Sequence, residues 1–142
     1  MRLSRTRRTE LICASPPDAL VELADRCIDT WTPPDVVSGP DVGMVVLTVR
    51  EPIEATRFHL GEVLVTRTEV DHRGVRGWSL FMGDDRPASL AAAILDAEAE
   101  ARGPHTQAIE QLCRATEASA EEDRAAEWAD LRPTIVNFEE IE

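Results

Sequence analysis

The sequence contains no lysine, and all 15 of its basic residues are arginines. Against 27 acidic residues they leave a formal net charge of −12. The missing basic excess excludes the usual polyphosphate binders, because affinity for a nucleic-acid backbone comes from cationic side chains that displace counterions. It argues equally against an anionic bilayer surface. Neither nucleic acid nor membrane is expected as a partner. A soluble protein, or one docked on a partner with basic patches, fits the charge better. Arginine suits fixed ion pairs and bidentate phosphate contacts better than lysine does, although GC-rich codon usage yields the same composition with surface arginines merely solvated.

Cysteine is scarce too. Cys13, Cys27 and Cys113 are odd in number, widely separated, and form no C-x-x-C. Neither a disulfide framework nor a zinc site follows from such spacing, so reduced and mostly buried thiols are expected. His59, His72 and His105 show no ligand spacing either, and no metal and no cofactor is expected. No apolar run approaches the roughly 20 residues of a membrane span. The basic start MRLSRTRRTELICAS is followed by a patch too short for a signal peptide, which leaves the cytoplasm as the default. There is no G-x-S-x-G, and GPDVG precedes a strand where a phosphate-binding loop would precede a helix. Repeats and low-complexity tracts are absent.

The 142 residues suit one domain of α+β class, a small antiparallel β-meander of about four strands packed with N- and C-terminal helices on one side. Residues 1–33 are expected to hold helices, 34–83 the sheet, 86–131 the C-terminal helices and 133–142 a tail. In DALVELADRCIDTW, Leu20, Leu23, Ala24, Cys27, Ile28 and Trp31 form one apolar stripe at helical spacing, opened by Pro17 and stopped by TPP. VGMVVLTVR, at 42–50, reads as a central strand covered on both faces, with Val36 and Val37 as a short edge piece. FHLGEVLVTRTEV is a longer strand with a bulge or close backbone approach at Gly61. DHRG turns the chain, and VRGWSLFMG returns it as a further strand.

Pro87 then opens an alanine-rich helix carrying Leu90, Ile94 and Leu95, which ends at Gly103. The next helix, over PHTQAIEQLCRATEASAEEDRAAEWADLRP, loses its apolar side after Glu117, so its second half has little to bury. TIVNF alternates as a short strand would, either folded back on the sheet or added to another chain.

Two residues apart on a strand means one face. Without a bulge, His59, Gly61, Val63, Val65, Arg67 and Glu69 share a face, and Glu62 is the misfit on the other. A bulge at Gly61 turns Glu62 back beside His59 and Arg67, a trio able to grip a phosphate or phosphonate. The bland alternative is a solvated, ion-paired strand face. Arg2, Arg5, Arg7 and Arg8 likewise form either an anchor for an anion or partner, or a frayed and solvated terminus.

FHLGEVLVTR also resembles the F-N-L-G-E-x-x-V-T-R-C signature of the PhnG family, the G subunit of the carbon–phosphorus lyase core complex in bacterial phosphonate breakdown. The likeness continues in PDVGMVVLTVR, in GVRGWSLFMGDD with the alanine-rich helix after it, and in TIVNF, so it spans nearly the whole chain. It implies a non-autonomous subunit of a transferase complex, working with I, H and J partners. That complex makes alpha-D-ribose 1-methylphosphonate 5-triphosphate from ATP and methylphosphonate, displacing adenine from C1′, and the I subunit is thought to supply the chemistry. ATP and phosphonate would then be met only through the complex. The matched positions Phe58, His59, Leu60, Gly61, Glu62, Thr66 and Arg67 are the implied binding or partner-interface residues.

Departures from the family pattern are His59 for Asn, Thr68 for Cys, Asp84 for Arg, and EPIEAT in place of a glycine-rich loop. A stand-alone small-molecule-binding or regulatory domain retaining only the fold is the alternative. A weaker one is an autonomous hydrolase using His59.

Overall fold

Alanine decides how this chain packs. The computed structural model describes residues 3–31 and 35–136. Its elements are α1 (Arg5–Cys13), α2 (Pro17–Ile28), β1 (Asp35–Arg50), β2 (Arg57–His72), β3 (Val75–Met82), α3 (Arg86–Glu100), α4 (Thr106–Leu131) and a short 3-10 turn, Arg132–Thr134. Helix α3 is buried along nearly its whole length, from Ala88 to Ala99 apart from partly covered Leu90. Small side chains let neighbours close on it from several sides. On the sheet side, a Cβ added at Gly77 of β3 would strike the Ala93 carbonyl and come within 2.6 Å of the Ala97 Cβ. Backbone therefore lies almost on backbone at this point.

The other helices build outward from α3. The α2 stripe forms as expected, with Leu20, Leu23, Ala24 and Cys27 buried against α3, Pro17 in the first turn, and Arg26 in the last turn complementing the helix dipole. Ser4 caps α1 by accepting from the Arg7 amide, and Asp85 caps α3 by accepting from the Ala88 amide. Contact between α1 and α4 is fixed by Arg7–Glu117 at 2.7 Å and by the Ser15 and Thr116 hydroxyls at 2.7 Å. From Ala118 onward every described residue of α4 is exposed, as its fading apolar side implied.

The sheet is antiparallel in the order β1-β2-β3. Three strands replace the expected four. The piece at Val36 and Val37 and the run at 42–50 are one strand, because β1 stays paired with β2 through register shifts around Gly39 and Pro40. Gly39 has φ +80, and a side chain there would collide with the Arg67 carbonyl. A second correction concerns 42–50, which lies on an edge strand and is exposed over most of its length. In the tail, Thr134 closes the 3-10 turn, and Ile135 and Val136 follow it without joining the sheet. The rest of the expected tail strand, and the TPP stop, lie outside the described residues.

The arginine cluster is corrected at Arg5 and Arg8, while Arg2 lies outside the described residues. Arg8 is 3% exposed and reaches both Asp96, fully buried on α3, and Glu100; Arg5 donates to Asp96 at 2.7 Å and to the Arg76 carbonyl at 2.6 Å. This start of the chain is a keystone of the core, held by buried charge whose partners are all close at hand.

Candidate functional site

The ladder between β1 and β2 outruns the rest of the fold. β3 covers β2 only from Val65 to His72. Beyond that, Met44↔Leu64 through Arg50↔Arg57 pair as a two-stranded ribbon, about 25 Å long at the strand rise. Its apolar side chains face water: Met44, Val46 and Leu60 are 57%, 56% and 61% exposed, and Val45, Leu47, Phe58 and Leu64 are exposed as well. A bare two-stranded ribbon is marginal in water, and a contiguous exposed apolar surface marks a site of interaction. The ribbon is also nearly neutral, with two arginines and three glutamates between Gly43 and Leu64 in a chain of net charge −12.

Register assigns the faces. Leu47 pairs with Gly61 and Thr48 with His59, so Leu60 is the extra residue of a bulge beside Gly61, as the sequence had led us to expect. The bulge reverses the alternation. His59, Glu62, Thr48, Val46, Met44 and Leu64 come to one face, with Phe58, Val45, Leu47, Val49 and Val63 on the other.

His59 and Glu62 thus share a face, two β1 positions apart, as the bulge required. The imidazole lies 3.1 Å from the Thr48 hydroxyl, and no other partner is found for it among the described residues. Arg67 does not join them. It stands five residues from Glu62 on the opposite face, paired with Glu69. A single anion held by all three is therefore not built within this chain. Thr66 is buried, donating to the Gly83 carbonyl at 2.7 Å and accepting from the Asp85 amide at 3.2 Å, so it secures the turn into α3. Phe58, His59, Leu60, Gly61 and Glu62 remain on the open ribbon.

The loop at the ribbon tip is closed by its own anion. Amides of Ile53, Glu54 and Thr56 donate to the Glu51 carboxylate at 2.8, 2.6 and 3.1 Å. Those bonds hold the Glu51 carboxyl below its ordinary range. An amide cluster of this kind is an anion cradle, here filled from within, which is how EPIEAT forms the turn without glycine.

Nucleophilic thiol chemistry finds no support. All three cysteines are free, and burial pushes Cys27 up to about 12 and Cys113 up to about 11, keeping both protonated at neutral pH. Sequence spacing also gave no hint of a cluster formed by Cys27, Glu98 and His105, whose ligand atoms all lie within 4.8 Å of one another.

No helix among the described residues is long and apolar enough to cross a membrane. Comparison with curated proteins returns no match. A family model described as phosphonate metabolism protein PhnG matches residues 3–141, nearly the entire sequence. The chain, with the signature strand forming its exposed ribbon, belongs to the PhnG family of phosphonate metabolism proteins.

Proposed function

We propose that this chain is a non-autonomous subunit of the carbon–phosphorus lyase system. With its I, H and J partners it serves the synthesis of alpha-D-ribose 1-methylphosphonate 5-triphosphate from ATP and methylphosphonate. In this reading a phosphonate oxygen attacks C1′ of the ribose, the bond to adenine breaks, and the reacting groups belong chiefly to the I subunit. The observation that carries it is the coincidence of the family signature with a ribbon that is apolar on both faces and uncovered by its own helices. Phe58 and Leu60 supply contact area, and His59 and Glu62 present polar groups to the partner.

Size exclusion of a mixture with the I-type subunit tests the reading. One joint peak at micromolar concentration is expected for the native chain. The double variant Val46→Asp, Leu60→Asp should run as two peaks while keeping its circular dichroism, since both side chains lie off the core. Two peaks for the native chain overturn the proposal.

A stand-alone ligand-binding domain has one observation in its favour, a cavity of about 380 Å³ beside Arg5, Thr9, Cys13, Trp78 and Leu80. That reading leaves the ribbon without a purpose, and it requires the chain to ignore the I subunit in the same experiment.

A further inference from the structure

We infer that Cys27, Glu98 and His105 form a binding site for one divalent transition-metal ion, zinc above all. The three residues stand where helix ends meet: Cys27 in the last turn of α2, Glu98 in the last turn of α3, and His105 at the cap of α4. Their ligand atoms lie within 4.8 Å of one another. Around tetrahedral zinc such atoms stand roughly 3.3–3.8 Å apart, so a closure of about 1 Å by side-chain rotation completes the arrangement. Thiolate, imidazole and carboxylate together are the ligand set of zinc, whereas magnesium and calcium take oxygen throughout.

Two polar groups at this point want a cation. Glu98 is 1% exposed, and its carboxylate accepts from the Trp31 indole at 2.7 Å and from the His105 amide at 2.9 Å. No arginine pairs with it among the described residues. Asp96, one turn-half earlier on the same helix, is held by both Arg5 and Arg8. A buried carboxylate without a counter-charge is costly, and a metal ion at this spot neutralises it. The second group is His105 Nε2, which is buried without a hydrogen-bond partner. Among the described residues, the other buried side-chain nitrogens in that condition are Nε atoms of Arg5 and Arg8, whose Nη2 atoms are ion-paired. A buried imidazole nitrogen without a partner, on a ring that reaches a thiol and a carboxylate, is a ligand in waiting.

The surroundings keep the three in place and leave a way in. A Cβ on Gly103 would run into the Glu98 carboxylate, so the loop before α4 presses directly on it. Both carboxylate hydrogen bonds fix its orientation, the role that outer partners play in metal sites. Glu98 also forms part of the wall of a cavity of about 310 Å³ bordered by Thr30, Trp31, His72 and Arg73. An ion entering by that opening meets Glu98, the one of the three residues that lines it. On binding, the Cys27 thiol gives its proton to solvent and the thiolate sulfur donates a lone pair to the metal. The site joins the ends of α2 and α3 to the cap of α4, and it is independent of the ribbon.

Cobalt(II), which reports thiolate coordination by absorption, is the probe. The full chain is stripped with a chelator, titrated with cobalt, then back-titrated with zinc. One ion per chain is expected, with a sulfur-to-cobalt charge-transfer band that zinc erases and a melting temperature that rises with zinc. Cys27→Ser should remove the band, and His105→Gln should weaken zinc binding at least about tenfold. His105→Gln is the safeguard, since it alters a partly exposed helix cap and leaves the core intact. Substoichiometric uptake by the native chain, or uptake that neither variant changes in amount or spectrum, overturns the inference.

Discussion

The two halves of β2 have opposite circumstances. From Val65 to His72 the strand is paired on both edges, and Val65, Thr66, Thr68, Val70 and His72 are buried. The α3 side there carries hydroxyls linked to one another: Thr68 to Ser89 at 2.8 Å, Ser79 to the Ser89 carbonyl at 2.7 Å, and Ser89 to the Thr66 carbonyl at 3.1 Å. From Arg57 to Leu64 the same strand has one neighbour and no helix, and its leucines and phenylalanine lie open. Thr66 and Thr68 are inside, and Phe58, Leu60 and Leu64 are outside. That inversion makes sense if the covered half is finished within the chain and the open half is finished by another molecule.

Substituting a glycine in each half gives the sharpest contrast. Gly77→Val forces a side chain into the Ala93 carbonyl and Ala97, which neither backbone can yield, and should leave no cooperatively folded protein. Gly61→Val meets nothing within 4 Å and should keep urea stability within about 0.5 kcal/mol. If both variants fold equally well, the two halves are not distinct.

Charge pairs give the next contrast. Asp96→Ala removes the fully buried carboxylate shared by Arg5 and Arg8, leaving Arg8 with Glu100 alone, and should cost about 3–5 kcal/mol in urea unfolding. Arg67→Ala, which removes the exposed pair with Glu69, should cost under about 1 kcal/mol. Equal losses would mean that the arginines of α1 are surface ornaments after all.

The smallest expected effect is a pH slope. His72, stacked on Trp31 with centroids 3.6 Å apart, is pushed below its ordinary 6.5 by burial first and then by Arg73. The folded state then resists a proton that the unfolded chain accepts. Stability supplied by neutral His72 is complete above pH 6.5 and is lost as pH falls toward the lowered value. Melting temperatures of native protein minus His72→Gln should be flat above 6.5 and decline below it. A flat difference at every pH would show that the imidazole titrates freely.

Much of the local structure was legible. The stripe of α2, Pro17 and Pro87 as helix openers, the bulge beside Gly61 and the thinning of α4 all follow from spacing within a few residues. What was hidden depends on distance along the chain. Arg5 and Arg8 look like a loose terminus until Asp96 and Glu100 arrive from α3, and no spacing announces such a pairing. Cys27 meets Glu98 and His105 for the same topological reason. VGMVVLTVR misled in a different way. Burial in one's own core and burial against a partner select the same β-branched residues, so the run advertised cover without saying whose.

One strand carries a consequence for how the protein must be made. The outer edge of β1 runs for 16 residues with no neighbouring strand among those described, and valines and Met44 flank much of it. Natural sheets blunt such edges with lysine, proline, bulges or a covering loop, and here Pro40 and the register shifts of β1 interrupt the row. A subunit synthesised in excess would present this edge to its own copies and aggregate. If a partner caps this edge, as proposed, balanced co-production of the two chains is what keeps it from self-association.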